Sequence, residues 1–318
     1  MTDLRIVFMG TPEFAVASLK AIIDSGTTVV GVITAPDRPA GRGQKLSQSA
    51  VKIFAQDQNL TVLQPTNLKS PDFLKELKTL NANLQVVVAF RMLPKEVWQM
   101  PALGTFNLHA SLLPDYRGAA PINWAIINGE NTTGVTTFFI DEKIDTGAII
   151  KQNEVAIGAD DDAGILHDKL MKEGSQLIVE TLKEIENGNV ITQPQPKMGK
   201  LHTAYKLDRN NTRLDWNKPA RKIYDQIRGL SPYPVAWTFF VNDGKEQQMK
   251  IYSAEMVETE ELTEKLDLRH LKVIGGRLFV GCTEGRLELT HVQLSGKRKM
   301  NTKDLLNGYL FDEDAKVL

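Results

Sequence analysis

The first 190 residues alternate short, near-continuous apolar runs with segments of helical spacing, and few folds accept that pattern. "LRIVFMG", "TTVVGVITAP", "TVLQP", "LQVVVAF" and "GTFNLHA" read as strands. They show little polar alternation, so both faces of their sheet must be covered. Between them, "TPEFAVASLKAIIDSG", "QSAVKIFAQDQN" and "SPDFLKELKTLN" space apolar residues as helices do. Thr11 is placed to cap the first helix, Pro12 suits its first position and Gly26 its stop. "APINWAIING" predicts another helix, "GVTTFFID" and "GAIIKQNEVAI" two further strands, and "AGILHDKLMKEGSQLIVETLKEIENG" a long amphipathic helix. The expected fold is α/β: a Rossmann-like parallel sheet wrapped by helices.

After Gly188 the texture changes. "NVITQPQPKMGKLHTAYKLDRNN" is polar, contains two prolines and reads as a linker. "KPARKIYDQIRGL" is a helix, and "AWTFFV", "MKIYSAEMV", "LKVIGG", "RLFVGCTEG" and "RLELTHVQL" are short strands rich in flanking glycine. They predict a small, OB-like β-barrel. The expected divisions are a sheet domain over 1–189, a linker over 190–208 and a barrel over 209–318.

Net charge is −1 over 318 residues, so no global basic character forces a nucleic-acid partner; any such partner must be met by local patches. The single cysteine, Cys282, excludes a disulfide within the chain and any CxxC site, and reads as a buried apolar residue. The five histidines lack short metal-ligand spacing, and no metal is expected. Neither a secretory leader nor a membrane-length apolar run is legible, which implies a cytoplasmic protein. The first turn, "MGTPEFA", keeps only Gly10 where a dinucleotide fold carries three glycines, so NAD binding is rejected; a P-loop is absent too.

Asn107 and His109 lie two apart at the end of the "GTFNLHA" strand, so their side chains leave one face. In such sheets ligands bind beyond the carboxyl ends of the strands. "IDEKIDTGAII" places Asp145 before Thr146 and Gly147, in a turn able to aim the carboxylate inward. Each piece alone is more simply a structural histidine or a solvated turn. Together they make a proton-transfer site: an amide to polarise a carbonyl, an imidazole to take a proton, a carboxylate to orient it. No serine, cysteine or lysine is placed as a covalent nucleophile, which suits direct attack of an amine on an acyl carbon.

"MGTPEFAVASL", "APDRPAGRGQKL", "NLHASLLPDYRGAAPINWAI", "GVTTFFIDEKIDTGAII" and "DWNKPARKIYDQIRGLSPYPVAW" closely resemble the 10-formyltetrahydrofolate-dependent formyltransferases, almost end to end. The resemblance implies that Asn107, His109 and Asp145 are catalytic, with Asn107 polarising the formyl oxygen, His109 managing protons and Asp145 orienting it. It implies that Ser111, Leu112, Leu113 and Pro114 line a folate pocket with Phe90 and Met92. It also implies 10-formyltetrahydrofolate as co-substrate, on a monomer; the family's shared motifs are less specific for the acceptor, and methionyl initiator tRNA is implied by the 35–50 loop and the carboxyl-terminal domain. One departure is Arg91 in "AFRML", where the family has a small glycine; its side chain either points outward or alters folate affinity.

The 35–52 loop carries Arg38, Arg42, Lys45 and Lys52 against Asp37. Alone it reads as a solvated mobile loop; the resemblance implies that it enters the tRNA acceptor end, with Arg42 foremost. Residues 209–318 hold 18 Lys and Arg against 16 Asp and Glu, and Lys297, Arg298 and Lys299 form their clearest basic patch. A barrel bearing it is a plausible RNA surface, with binding that is modest and salt-sensitive. Trp98, Trp124, Trp216 and Trp237 read as core. A small amine acceptor such as glycinamide ribonucleotide or an amino sugar nucleotide, and a catalytically silent RNA-binding protein, are the competing readings.

Overall fold

The computed structural model describes residues 2–40, 45–196, 201–257 and 266–318. The chain forms two compact units. The first comprises residues 1–118, 132–156 and 167–203; the second comprises 119–131, 157–166 and 204–318.

The first unit is built on seven strands: β1 (Arg5–Gly10), β2 (Thr28–Ile33), β3 (Val62–Leu63), β4 (Leu84–Val88), β5 (Thr105–His109), β6 (Thr132–Phe139) and β7 (Ile149–Ala156). Their order is β7-β6-β5-β4-β1-β2-β3. β1 to β5 run parallel, as their apolar character requires. Ile6 and Phe8 point to one face of β1, Val7 and Met9 to the other, and all four are fully buried. Helices α1 (Glu13–Asp24), α2 (Ala50–Asp57), α3 (Pro71–Thr79), the short α4 (Lys95–Trp98) and, from His167 on, α6 (Ala163–Glu186) complete the unit. Val7 and Met9 pack in one cluster with Phe73, Leu77, Leu93 and Val97.

Three expectations are corrected. The sheet is not wholly parallel: β6 pairs antiparallel with both β5 and β7. A connection of nine residues between β6 and β7 is too short for a parallel crossover, so the chain must return antiparallel. Thr11 does not cap α1, which begins from an extended Pro12 without a side-chain cap. Part of the polar stretch after Gly188 is not a free tether: the amides and carbonyls of Ile149 and Gln193 exchange two hydrogen bonds of 2.8 Å, which adds these residues to the edge of β7.

The second unit holds α5 (Pro121–Asn128), α7 (Ala220–Leu230), α8 (Thr302–Leu306) and seven strands. The strands are β8 (Ala236–Asn242), β9 (Lys245–Met256), β10 (Leu271–Ile274), β11 (Arg277–Gly281), β12 (Arg286–Leu294), β13 (Met300–Asn301) and β14 (Lys316–Val317). They order as β10-β11-β12-β9-β8-β14, with β13 beside β12. Leu271 N donates to Ala315 O and Val317 N to Arg269 O, so the two edges meet and the antiparallel barrel is nearly closed. Closure leaves little exposed strand edge. Phe240, Met249, Ile251, Leu278, Leu289 and Val292 fill it, and the apolar stripe of α7 (Ile223, Ile227 and Leu230) shares that core. Cys282 packs against the same cluster, and burial pushes its thiol up to about 12. Among the described residues no helix is long and apolar enough to cross a membrane.

Candidate active site

β5 ends with Asn107 opposite Val87 on one side and Phe138 on the other, and His109 opposite Thr136. The strand delivers both side chains to one face. His109 Nε2 lies 2.9 Å from the Tyr116 carbonyl oxygen. A carbonyl only accepts, so Nε2 carries the proton of the neutral ring and Nδ1 keeps its lone pair. Nδ1 lies 4.0 Å from Asp145 Oδ2, with the two side chains 8% and 14% exposed. That gap is too long for a hydrogen bond. It is short enough for the carboxylate to stabilise an imidazolium once Nδ1 gains a proton. Asn107 Oδ1 is buried and has no partner among the described residues. An unpaired buried acceptor costs about 1–3 kcal/mol, so a ligand N–H that satisfied it would bind favourably.

Asp145 reaches the site from a strained turn. Its φ is +53°, in the left-handed region that costs a non-glycine residue energy. Two residues on, a Cβ at Gly147 would lie 1.6 Å from the Phe139 carbonyl oxygen, so only glycine fits. Asp141 accepts from Lys143 N (2.9 Å) and Thr146 Oγ1 (2.7 Å), tying the turn at its outer end. Asp145 Oδ2 accepts from Gly118 N at 3.0 Å, which aims the carboxylate toward His109. Gln195 Nε2 donates to the carbonyls of Asp145 (3.0 Å) and Gly147 (2.9 Å).

The segment from Ser111 to Pro114 is fastened from below. Thr136 Oγ1 donates to Ser111 O (2.6 Å) and accepts from Leu113 N (3.1 Å) and Gln152 Nε2 (2.8 Å). Gln152 Nε2 also donates to Leu113 O at 3.0 Å. The Leu113 backbone is thus paired within the protein, and its side chain clusters with Phe138 and Ile149. Ser111 Oγ donates to Asp115 O (2.6 Å), a turn-closing role. Leu112 and Pro114 are half-buried. On the loop after β4, Phe90 packs partly against the sheet cluster while Met92 is 71% exposed. Arg91 folds back: Nη1 donates to Thr66 O (3.0 Å), Nη2 to Pro65 O, and its guanidinium lies beside the Phe90 ring. Burial, then the nearby Arg38 charge, lower its pKa. The residue that departs from the family pattern therefore staples its loop to the β3 end of the sheet.

The predicted cations fall into distinct settings. Arg38 is exposed in a short strand, Arg38–Ala40, paired antiparallel with Lys45–Ser47; Arg42 lies outside the described residues. Lys52 is committed to Asp37 at 2.5 Å, which holds that carboxyl below its ordinary range. On the barrel, Lys297 and Lys299 lie over the rings of Tyr309 (5.4 Å) and Tyr252 (4.5 Å), whereas Arg298 is exposed. Trp216 and Trp237 are both core, and Arg209 at 4.7 Å and Arg213 at 5.7 Å cover the Trp237 ring. A polar cleft of about 620 Å³ also opens on the barrel, lined by Ser253, Arg277, Glu288, His291 and Lys303.

Sequence reading missed Tyr116, Gly118 and Gln195. The first two act through backbone atoms that no side-chain pattern reveals. Gln195 sits in the polar stretch taken for a linker.

Residues 4–182 match the formyl transferase family and residues 206–310 its C-terminal domain, and the chain belongs to that family. The methionyl-tRNA formyltransferase of Flavobacterium johnsoniae is 57% identical over 100% of both chains. That of Bacteroides fragilis is 48% identical over 99% of this chain and 98% of its own. In fold the chain is similar to a sugar 3N-formyl transferase crystallised in the presence of dTDP and 5-N-formyl-THF. That match has a TM-score of 0.64 and 21% identity, covering 94% of this chain and 100% of the other.

Proposed function

We propose that this chain transfers the formyl group of 10-formyltetrahydrofolate to the amino group of methionyl initiator tRNA, giving N-formylmethionyl-tRNA. The observation that carries the reading is the imidazole tautomer: His109 turns a free Nδ1 lone pair toward Asp145, on the strand face shared with Asn107. The attacking amine loses its proton to Nδ1, Asp145 stabilises the imidazolium that results, and that proton passes to folate N10 as the bond between N10 and the formyl carbon breaks. The Asn107 amide donates to the charge developing on the formyl oxygen while its orphaned oxygen accepts from the amine. Two bound substrates react directly, so no covalent enzyme intermediate is needed.

Phe90, Met92 and the side chains of Leu112, Leu113 and Pro114 are assigned to the folate, with Ser111 shaping the turn. Met92 supplies exposed apolar surface on the loop that Arg91 fastens. Arg38, Arg42, Lys45, Lys297, Arg298 and Lys299 are assigned to the tRNA phosphates, in a monomeric cytoplasmic enzyme that uses no metal. The nearly closed barrel over the C-terminal third favours tRNA over glycinamide ribonucleotide, whose formylation needs only the sheet unit.

The test offers 10-formyltetrahydrofolate with methionine-charged initiator tRNA, uncharged tRNA and glycinamide ribonucleotide side by side. Formylation of the charged tRNA alone is expected. Transfer to glycinamide ribonucleotide instead overturns the acceptor; folate binding without any transfer overturns the reaction.

A further inference from the structure

We infer that Gln195 is a positioning residue for the reaction: one buried amide clamps the two turns that flank the His109–Asp145 pair. The inference rests on the catalytic reading given above. The residue is 8% exposed and stands in the polar stretch after Gly188. Its position is fixed because Gln193, two residues earlier, pairs with Ile149 at the edge of β7.

Both ends of the amide are used. Nε2 donates to the carbonyls of Asp145 and Gly147 (3.0 and 2.9 Å), one on each side of Thr146. Oε1 accepts from Arg117 Nε (3.1 Å) and Nη2. Arg117 lies between Tyr116, whose carbonyl pairs with His109 Nε2, and Gly118, whose N–H pairs with Asp145 Oδ2. Gln195 therefore joins the turn that fixes the imidazole to the turn that presents the carboxylate. A left-handed aspartate persists only if its surroundings over-determine it. Here the side-chain bond to Gly118 holds one end of Asp145 and Gln195 holds its backbone. A charged residue would not serve. Glutamate could still accept from Arg117 but has no N–H for the two carbonyls, and lysine has no acceptor for Arg117.

The test uses the full-length chain carrying Gln195→Ala or Gln195→Glu, each also combined with Asp145→Asn. Displacing a catalytic group by about 1 Å can cost a hundredfold, and a loss of ten- to a hundredfold in kcat is expected for both single variants. KM for folate and tRNA should stay within about twofold, because all four hydrogen bonds of the clamp are spent on the protein itself. In the Asp145→Asn background, Gln195→Ala should cost less than about threefold, since the aim of a lost carboxylate no longer matters. Full additivity, a wild-type rate for Gln195→Glu, or an effect confined to KM would overturn the inference. A second readout does not depend on the acceptor. The ¹⁵N resonances of the His109 ring should move in Gln195→Ala toward their Asp145→Asn positions. If they stay at wild-type values in a folded variant, the clamp does not act on the pair. If they move while the wild type formylates no tRNA, the clamp stands and the assigned reaction falls.

Discussion

In the proposed function, the histidine site and the barrel's basic patch face opposite problems and answer them with different residue types. Around His109 every group is held: Tyr116 and Gly118 contribute backbone atoms, Gln195 a buried amide, and Gly147 an approach too close for any side chain. On the barrel, Lys297 and Lys299 rest against tyrosine faces and Arg298 is exposed to solvent. Proton transfer can slow about a hundredfold when a group shifts by about 1 Å, which buried, over-determined turns prevent. A phosphate backbone is met by charge at approximately the right place, so exposed, re-orientable side chains suffice. On the proposed assignment, a chain of net charge −1 would hold tRNA through a few exposed cations rather than through those paired inside the fold, such as Lys52.

Substitutions that split catalysis from binding break or sharpen this contrast. His109→Ala is expected to have the largest effect, lowering kcat by about 10²–10⁴-fold while tRNA affinity is unchanged. Single-turnover formylation alongside a tRNA filter-binding assay checks it, and a parallel loss of binding would dissolve the distinction. Gly147→Ala comes next. Its Cβ meets backbone that cannot yield, so a destabilisation on the order of 3 kcal/mol is expected with a fall in kcat, read by thermal unfolding and turnover. Arg298→Ala should leave kcat intact, raise KM for tRNA several-fold, and reduce the slope of log affinity against log salt by about 1. A salt titration decides that; an unchanged slope removes Arg298 from the interface.

The smallest effect belongs to a buried group of the barrel, and it marks the limit of the surface picture. Burial, then the hydrogen bond to Asp160, push the Tyr224 phenol up to about 12. The folded chain keeps that proton after the unfolded chain has begun to lose its own near 10. The contribution is therefore full below about pH 10 and is lost as pH rises toward 12. Melting curves at pH 9 and 11.5 should show a smaller drop for Tyr224→Phe than for wild type.

Much of this was legible in the sequence. Period two placed Asn107 and His109 on one face of β5, and apolar runs located the parallel strands. "DTG" announced the turn at Asp145, though not that Gly118 N–H would aim its carboxylate. Arg91 could be flagged as out of pattern, but its staple to Pro65 and Thr66 depends on carbonyls 26 and 25 residues distant. Gln195 was hidden for a different reason: between two prolines in polar surroundings, nothing local marks a side chain whose four hydrogen bonds all lie about 50 or more positions away. The antiparallel return of β6 and β7 is written in the length of their connection rather than in composition, and apolar runs alone do not show it.

The acceptor that fixes the His109 tautomer is a carbonyl of the main chain. No codon change at position 116 can delete it. Selection can enlarge, shrink or recharge the side chain there while the proton stays on the same nitrogen. To reverse the ring's polarity, the chain would need a new path through the turn, not a new amino acid. The element of the site most resistant to point mutation is thus one that leaves no trace in a sequence alignment column.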